Sequence, residues 1–210
     1  MDSPRRIESY FLDGAAGKIE ALLEEPEWGE PREACLVCHP HPLYGGTMHN
    51  KVVYRMARAL RRSGSVVLRF NFRGVGKSEG AHDQGAGELD DAYLCLEWLR
   101  ARYPGLPYSV AGFSFGSRIA LRLGCSLEGL RRIIAVGFPT KLANVEYLKN
   151  CLTPKIFVQS THDEHGPQPE LEAVYREVAE PKQIHWVSAT DHFFRDGLDG
   201  LEETILQLKA

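Results

Sequence analysis

Tyr108-Ser109-Val110-Ala111-Gly112-Phe113-Ser114-Phe115-Gly116-Ser117-Arg118-Ile119-Ala120-Leu121 is the stretch that decides the fold. Residues 108–113 form an apolar run of strand length, and residues 115–123 have helical spacing, so the chain must turn from strand to helix around Ser114. A turn this tight needs flanking positions nearly free of side chain, which Gly112 and Gly116 supply. It lifts the serine hydroxyl to the apex, with the unpaired N–H groups of the helix start behind it.

The same alternation extends outward in both directions. Upstream, runs 7–12 and 18–23 flank Asp13-Gly14-Ala15-Ala16-Gly17 and predict a hairpin. Residues 34–38 read as a strand buried on both faces. Val52, Val53, Met56, Ala57 and Leu60 mark a helix ending at Gly64, and 66–72 a further strand. Leu89, Ala92, Tyr93, Leu96 and Leu99 mark a helix closed by Pro104-Gly105. Downstream, strands are expected at 133–136, 156–159 and 184–187, and helices at 171–178 and 198–208, with a short helical turn at Tyr147 and Leu148. Strands alternating with helices predict an α/β fold: a mainly parallel central sheet with an N-terminal antiparallel hairpin and helices on both faces. One domain over 1–210 is the expectation for this length.

Composition narrows the function classes. The chain is 43% apolar and 25% charged with a formal charge of −3, which gives no basic footprint for nucleic acid. Residues 1–12 lack an apolar leader core, and no apolar run reaches the roughly 20 residues of a membrane span. Five cysteines, at 35, 38, 95, 125 and 151, are odd in number and lie mostly in apolar segments. They are expected to be reduced, buried thiols of a cytoplasmic protein. Cys35 and Cys38 sit three apart on one strand and so face opposite ways, which favours core packing over a metal or redox pair.

Parallel sheets bind ligands beyond the carboxyl ends of their strands, and the polar motifs of this chain fall just there. A serine hydroxyl needs a base, usually histidine, held by a carboxylate. His192 follows the strand at 184–187 directly and is the expected base, whereas His185 lies within that strand. Asp163, just after the strand at 156–159, is the expected acid, with Asp191 and Glu164 as rivals. His162 and His165 could form a metal-ligand fragment, but a third ligand has no evident place; no cofactor or metal is expected. The oxyanion formed at a carbonyl needs two N–H donors. Phe115 supplies one; the other is expected from the loop His39-Pro40-His41-Pro42-Leu43-Tyr44-Gly45-Gly46-Thr47. Pro40 and Pro42 have no N–H to give, so Leu43 is chosen with Tyr44 second. His39 and His41 are expected to brace this loop. Tyr44, Phe113, Phe138, Phe193 and Phe194 are the expected aromatic border of a cleft.

Together these residues resemble the α/β-hydrolase superfamily, in which the order Ser114, Asp163, His192 recurs. Residues 70–80, Phe-Asn-Phe-Arg-Gly-Val-Gly-Lys-Ser-Glu-Gly, are similar to the family's loop after the next strand. Residues 39–48 resemble a small, capless, dienelactone-hydrolase-like bacterial branch. The likeness runs from about residue 7 to the C-terminus. Two departures stand out: His-Pro replaces the His-Gly of many members, and serine replaces the cysteine of dienelactone hydrolases proper. Gly76-Lys77-Ser78 also matches the end of a phosphate-binding loop, but Asn71 occupies the position of its first glycine. About fifteen residues, 138–152, separate two core strands, too few for a cap domain. The resemblance implies a serine hydrolase of small ester or thioester substrates, working through an acyl-enzyme. Amide cleavage on the same residues and a non-catalytic binding protein are the alternatives, and a homodimer is left open.

Overall fold

A computed structural model describes residues 6–141 and 144–208. Its strands are β1 (Ile7–Gly14), β2 (Gly17–Glu24), β3 (Glu33–Cys38), β4 (Ser65–Phe70), β5 (Tyr108–Phe113), β6 (Ile133–Val136), β7 (Lys155–Ser160) and β8 (Lys182–Val187). Its helices are α1 (Lys51–Arg62), α2 (Ala86–Arg102), α3 (Phe115–Ser126), α4 (Gln168–Glu177) and α5 (Leu198–Gln207). The strands form one sheet in the order β1-β2-β4-β3-β5-β6-β7-β8. The β1–β2 hairpin and its junction with β4 are antiparallel, and every later pairing is parallel. This is the α/β-hydrolase fold without a cap domain: among the described residues, the segment joining β6 and β7 holds only a short 3-10 turn at Glu146–Lys149.

The pleat sorts the core into two layers. Ala34, Leu36 and Cys38 of β3 pack with α2 and α3, whereas Cys35 and Val37 pack with α1 and α5. The two cysteines therefore face opposite sides, as the two-residue period of a strand requires. Asn50 caps α1, its side chain accepting from the N–H groups of Val52 and Val53. β4 ends at Phe70 rather than 72, because the N–H of Asn71 goes to the Glu20 carbonyl and that of Phe72 to a ring nitrogen of His39.

Two cysteines depart from the expected free thiols. Cys125 and Cys151 form a disulfide, their Cα atoms 5.0 Å apart, while Cys35, Cys38 and Cys95 are free and buried. The Thr153 hydroxyl donates to the Gly124 carbonyl at 3.1 Å and holds the end of α3 against the chain entering β7, which brings the two sulfurs together. The cysteine content therefore gives no support to a reducing compartment. Among the described residues no helix is long and apolar enough to cross a membrane.

Candidate active site

Ser114 is the residue between β5 and α3, with φ 56° and ψ −120°. Positive φ is strained for a residue with a side chain, and here the surroundings enforce it. A Cβ at Gly112 would lie 2.1 Å from the Gly116 carbonyl oxygen, and one at Gly116 would lie 2.3 Å from that of Cys38. Only glycine allows the approach at either position. Although Ser114 is the N-cap of α3, its hydroxyl makes no capping bond to the helix, which leaves the oxygen for other partners.

That partner is His192. Its Nε2 lies 2.8 Å from Ser114 Oγ, and its Nδ1 lies 2.9 and 2.8 Å from the two carboxylate oxygens of Asp163. Because an ionised carboxylate only accepts, Nδ1 carries the proton and Nε2 offers its lone pair to the serine hydroxyl. Asp163 is itself held from three sides. Its Oδ1 accepts from the backbone N–H of His165 and Gly166, and its Oδ2 accepts from Gln159 Nε2 at 2.9 Å. Gln159 is clamped in turn, accepting from Phe138 N at 2.8 Å and donating to Gly166 O at 3.1 Å. Aromatic packing fixes the imidazole plane: Phe113 stacks on His192 at 4.9 Å, and His165 meets it edge-on at 4.6 Å.

The rival acids have other partners. Asp191 accepts from Arg195 N at 2.9 Å and closes its own loop. Glu164 accepts the backbone N–H of His192 at 2.9 Å, so it anchors the residue whose side chain Asp163 holds. His162 and His165 have separate surroundings: His162 Nδ1 meets the Ala189 carbonyl, and His165 packs on His192. His185 lies on β8 beside Gln183.

The loop after β3 is braced by its histidines. His39 is buried, accepts the N–H of Phe72 at Nε2 (3.0 Å) and donates from Nδ1 to the Pro40 carbonyl (2.6 Å). Burial pushes its pKa down to about 4, so it stays neutral. His41 accepts the Leu43 N–H at Nδ1 (3.2 Å), and its carbonyl takes the N–H of Tyr44 (3.2 Å) and of Gly46 (3.1 Å). Burial, and then repulsion from nearby His82, lower the pKa of His41. The N–H groups of Leu43 and Tyr44 are thus consumed inside a 3-10 turn at Pro42–Tyr44. Leu43 points outward, 67% exposed. Among the described residues the backbone N–H of His41 has no such partner.

A cleft of about 450 Å³ opens over Ser114, lined by residues that include His41, Tyr44, Phe115, Arg118, His165 and Phe193. Of the expected aromatic border, Tyr44 and Phe193 line it. Phe113 and Phe194 are fully buried behind His192, and Phe138 packs on Phe157 and borders a second cavity. Sheet-end aromatic residues divide between cleft and core according to the pleat, which a sequence window does not resolve. The Gly76-Lys77-Ser78 turn is structural. Lys77 N donates to Glu20 Oε2 and the Ser78 hydroxyl donates to Asn71 O, so a carboxylate already holds the place a phosphate would take.

The sheet topology, the strained serine between strand and helix and the lidless cleft define an α/β serine hydrolase scaffold. A model of the alpha/beta hydrolase domain matches residues 35–203, and the chain belongs to this family. An alpha-beta serine hydrolase homologue from Coxiella burnetii superposes with a TM-score of 0.92 at 33% identity, covering 97% of each chain. An α/β serine hydrolase without lid from Xanthomonas campestris gives a TM-score of 0.88 at 32% identity, covering 97% of this chain and 93% of its own. An uncharacterized protein of Rickettsia prowazekii is 33% identical over 195 residues, 88% of this chain and 81% of that one. The lysophosphatidylserine lipase ABHD12 of Danio rerio is 29% identical over 124 residues, 57% of this chain and 30% of that protein.

Proposed function

We propose that the protein hydrolyses carboxylic esters or thioesters through an acyl-enzyme on Ser114. The observation that carries this reading is the unbroken hydrogen-bond line from Asp163 through His192 to Ser114 Oγ, opening on the cleft. Ser114 Oγ attacks the acyl carbon while its proton passes to His192 Nε2. The resulting imidazolium is stabilised by Asp163, which stays ionised. As the tetrahedral intermediate collapses, the bond to the alkoxide or thiolate breaks and His192 returns the proton to it. Water then repeats the sequence on the acyl-enzyme, giving a carboxylic acid and free Ser114.

The oxyanion is held by two backbone N–H groups, those of Phe115 and His41. Phe115 opens α3, where the helix dipole adds to the field. His41 takes the place expected of Leu43: its N–H is uncommitted, and it lines the cleft with Ser114. Tyr44 and Phe193, half or more exposed at the rim, contact the acyl or leaving group. The lipase partly matched in Danio rerio acts on an ester, which agrees with this choice over amides.

A fluorophosphonate probe tests the reading. It should label the folded wild type at Ser114, and Ser114→Ala should abolish both labelling and hydrolysis of aryl esters and graded acyl thioesters. A folded wild type that neither labels nor turns over any of them would overturn it.

A further inference from the structure

Arg118 stands at the margin of the cleft over Ser114. A second cavity of about 490 Å³ lies beyond it, lined by Arg118, Arg122, Leu89, Asn144 and Tyr147 among others. Arg118 borders both spaces, so they adjoin. Arg118 and Arg122 follow Ser114 by four and eight positions on the helix that starts at the serine. At the α-helical rise they stand roughly 6 and 12 Å along the axis from it.

The charge that lines these two spaces is one-sided. In a chain with 28 acidic residues and a net charge of −3, no Asp or Glu lines either cavity among the described residues. Arg61, Arg69, Arg73 and Arg132 lie against carboxylates. Arg122 makes no ion pair or hydrogen bond among the described residues. Tyr147 is pushed up to about 12 by burial, so its phenol keeps its proton and remains able to donate. Such a lining attracts negative charge, and its low-dielectric walls concentrate the attraction.

We infer that the substrate carries an anionic group, a carboxylate or a phosphate, set several bonds away from the scissile carbonyl and held by Arg118 and Arg122. This rests on Ser114 being the nucleophile of the cleft. The acyl carbonyl lies at Ser114 while the anionic end enters the second cavity, where the planar guanidinium groups pair with its oxygens.

The test compares three p-nitrophenyl esters of matched length: neutral pentanoate, the glutarate half-ester, and its phosphonate counterpart. For the wild type, kcat/KM on at least one anionic ester should exceed that on the neutral ester by about tenfold and fall with added salt. The larger of the two anionic preferences identifies the group as carboxylate-like or phosphate-like. Arg122→Gln, at an exposed position, should lower the anionic-to-neutral ratio several-fold. Arg118→Gln should do the same, and Arg122→Lys should restore much of the ratio because it returns the charge. Calorimetric titration of Ser114→Ala with the same esters reads the anion site without turnover, and tighter binding of an anionic ester should vanish with Arg122→Gln. Turnover of all three esters at similar, salt-insensitive rates would overturn the anion site while leaving the hydrolase reading intact. Arginine-dependent binding of the anionic esters without turnover in the wild type would do the reverse.

Discussion

Two buried carboxylates, Glu33 and Asp163, sit at opposite ends of the same sheet and do different work. Glu33 opens β3 at the amino edge and accepts from the Ser65 and Ser109 hydroxyls and from the Nε and Nη2 of Arg132. Arg132 spends its remaining Nη1 on the Leu208 carbonyl. Asp163 follows β7 at the carboxyl edge and likewise accepts from two backbone N–H groups, a side-chain amide and a ring nitrogen. Burial and hydrogen-bond saturation are alike, so neither separates the carboxylate proposed to act in catalysis from the structural one. The partner does. A guanidinium keeps its charge at every accessible pH, whereas an imidazole can gain a proton at the nitrogen that faces the cleft.

The sharpest way to break this contrast is to neutralise each carboxylate. Asp163→Asn presents an amide N–H to His192 Nδ1, forces the wrong tautomer and should lower kcat about 10⁴-fold while the protein still folds. Glu33→Gln leaves Arg132 buried without its counter-charge and should cost about 3–5 kcal/mol in urea unfolding, with kcat of the folded fraction unchanged. If the two outcomes exchanged places, the assignment of roles would be wrong.

His39 extends the comparison to an imidazole kept neutral for structure. Its folded pKa of about 4 lies below the ordinary value near 6.5, because burial disfavours the cation. Between those two values the unfolded chain takes up a proton that the folded one refuses. The stability His39 contributes is therefore complete above pH 6.5 and is lost as pH falls towards 4, by about 3 kcal/mol. Urea unfolding across this range should show a shallower pH slope for His39→Gln than for the wild type; equal slopes would contradict the buried neutral assignment. The smallest effect is expected at Glu164, which holds the backbone of His192 rather than its ring. Glu164→Ala should lower kcat by about tenfold, and Glu164→Gln, whose amide oxygen still accepts, should recover most of it. An alanine variant as fast as the wild type would remove Glu164 from the positioning of His192.

Much of this architecture is legible in the sequence. β5 and β6 have the residue bounds read from apolar runs, because strands buried on both faces are written as continuous hydrophobic segments. Other boundaries moved by a few residues where polar or small residues extend a helix, as at Ala86 of α2, where Glu88 accepts the N–H of Gly85. Of the candidate site, Ser114, Asp163 and His192 were legible because each lies in the turn or loop that follows a strand. Gln159, a lone amide ending an otherwise apolar run, was a signal left unused. Glu164 and His165 suggested a rival acid and a metal ligand instead, since their contacts with His192 depend on how two loops from different strands meet.

What the sequence determined alone is the alternation of strands and helices, the glycine-flanked turn at Ser114 and the chain order of its partners. These are local properties, written in side-chain period and backbone freedom. The tertiary structure decided the rest. It sent Phe113 and Phe138 away from the cleft, joined Cys125 to Cys151, and set Arg118 and Arg122 beside a cavity with no acid among the described residues that line it. Each of those depends on which groups from distant segments meet and consume one another's hydrogen bonds and charge, and no window of sequence contains both partners.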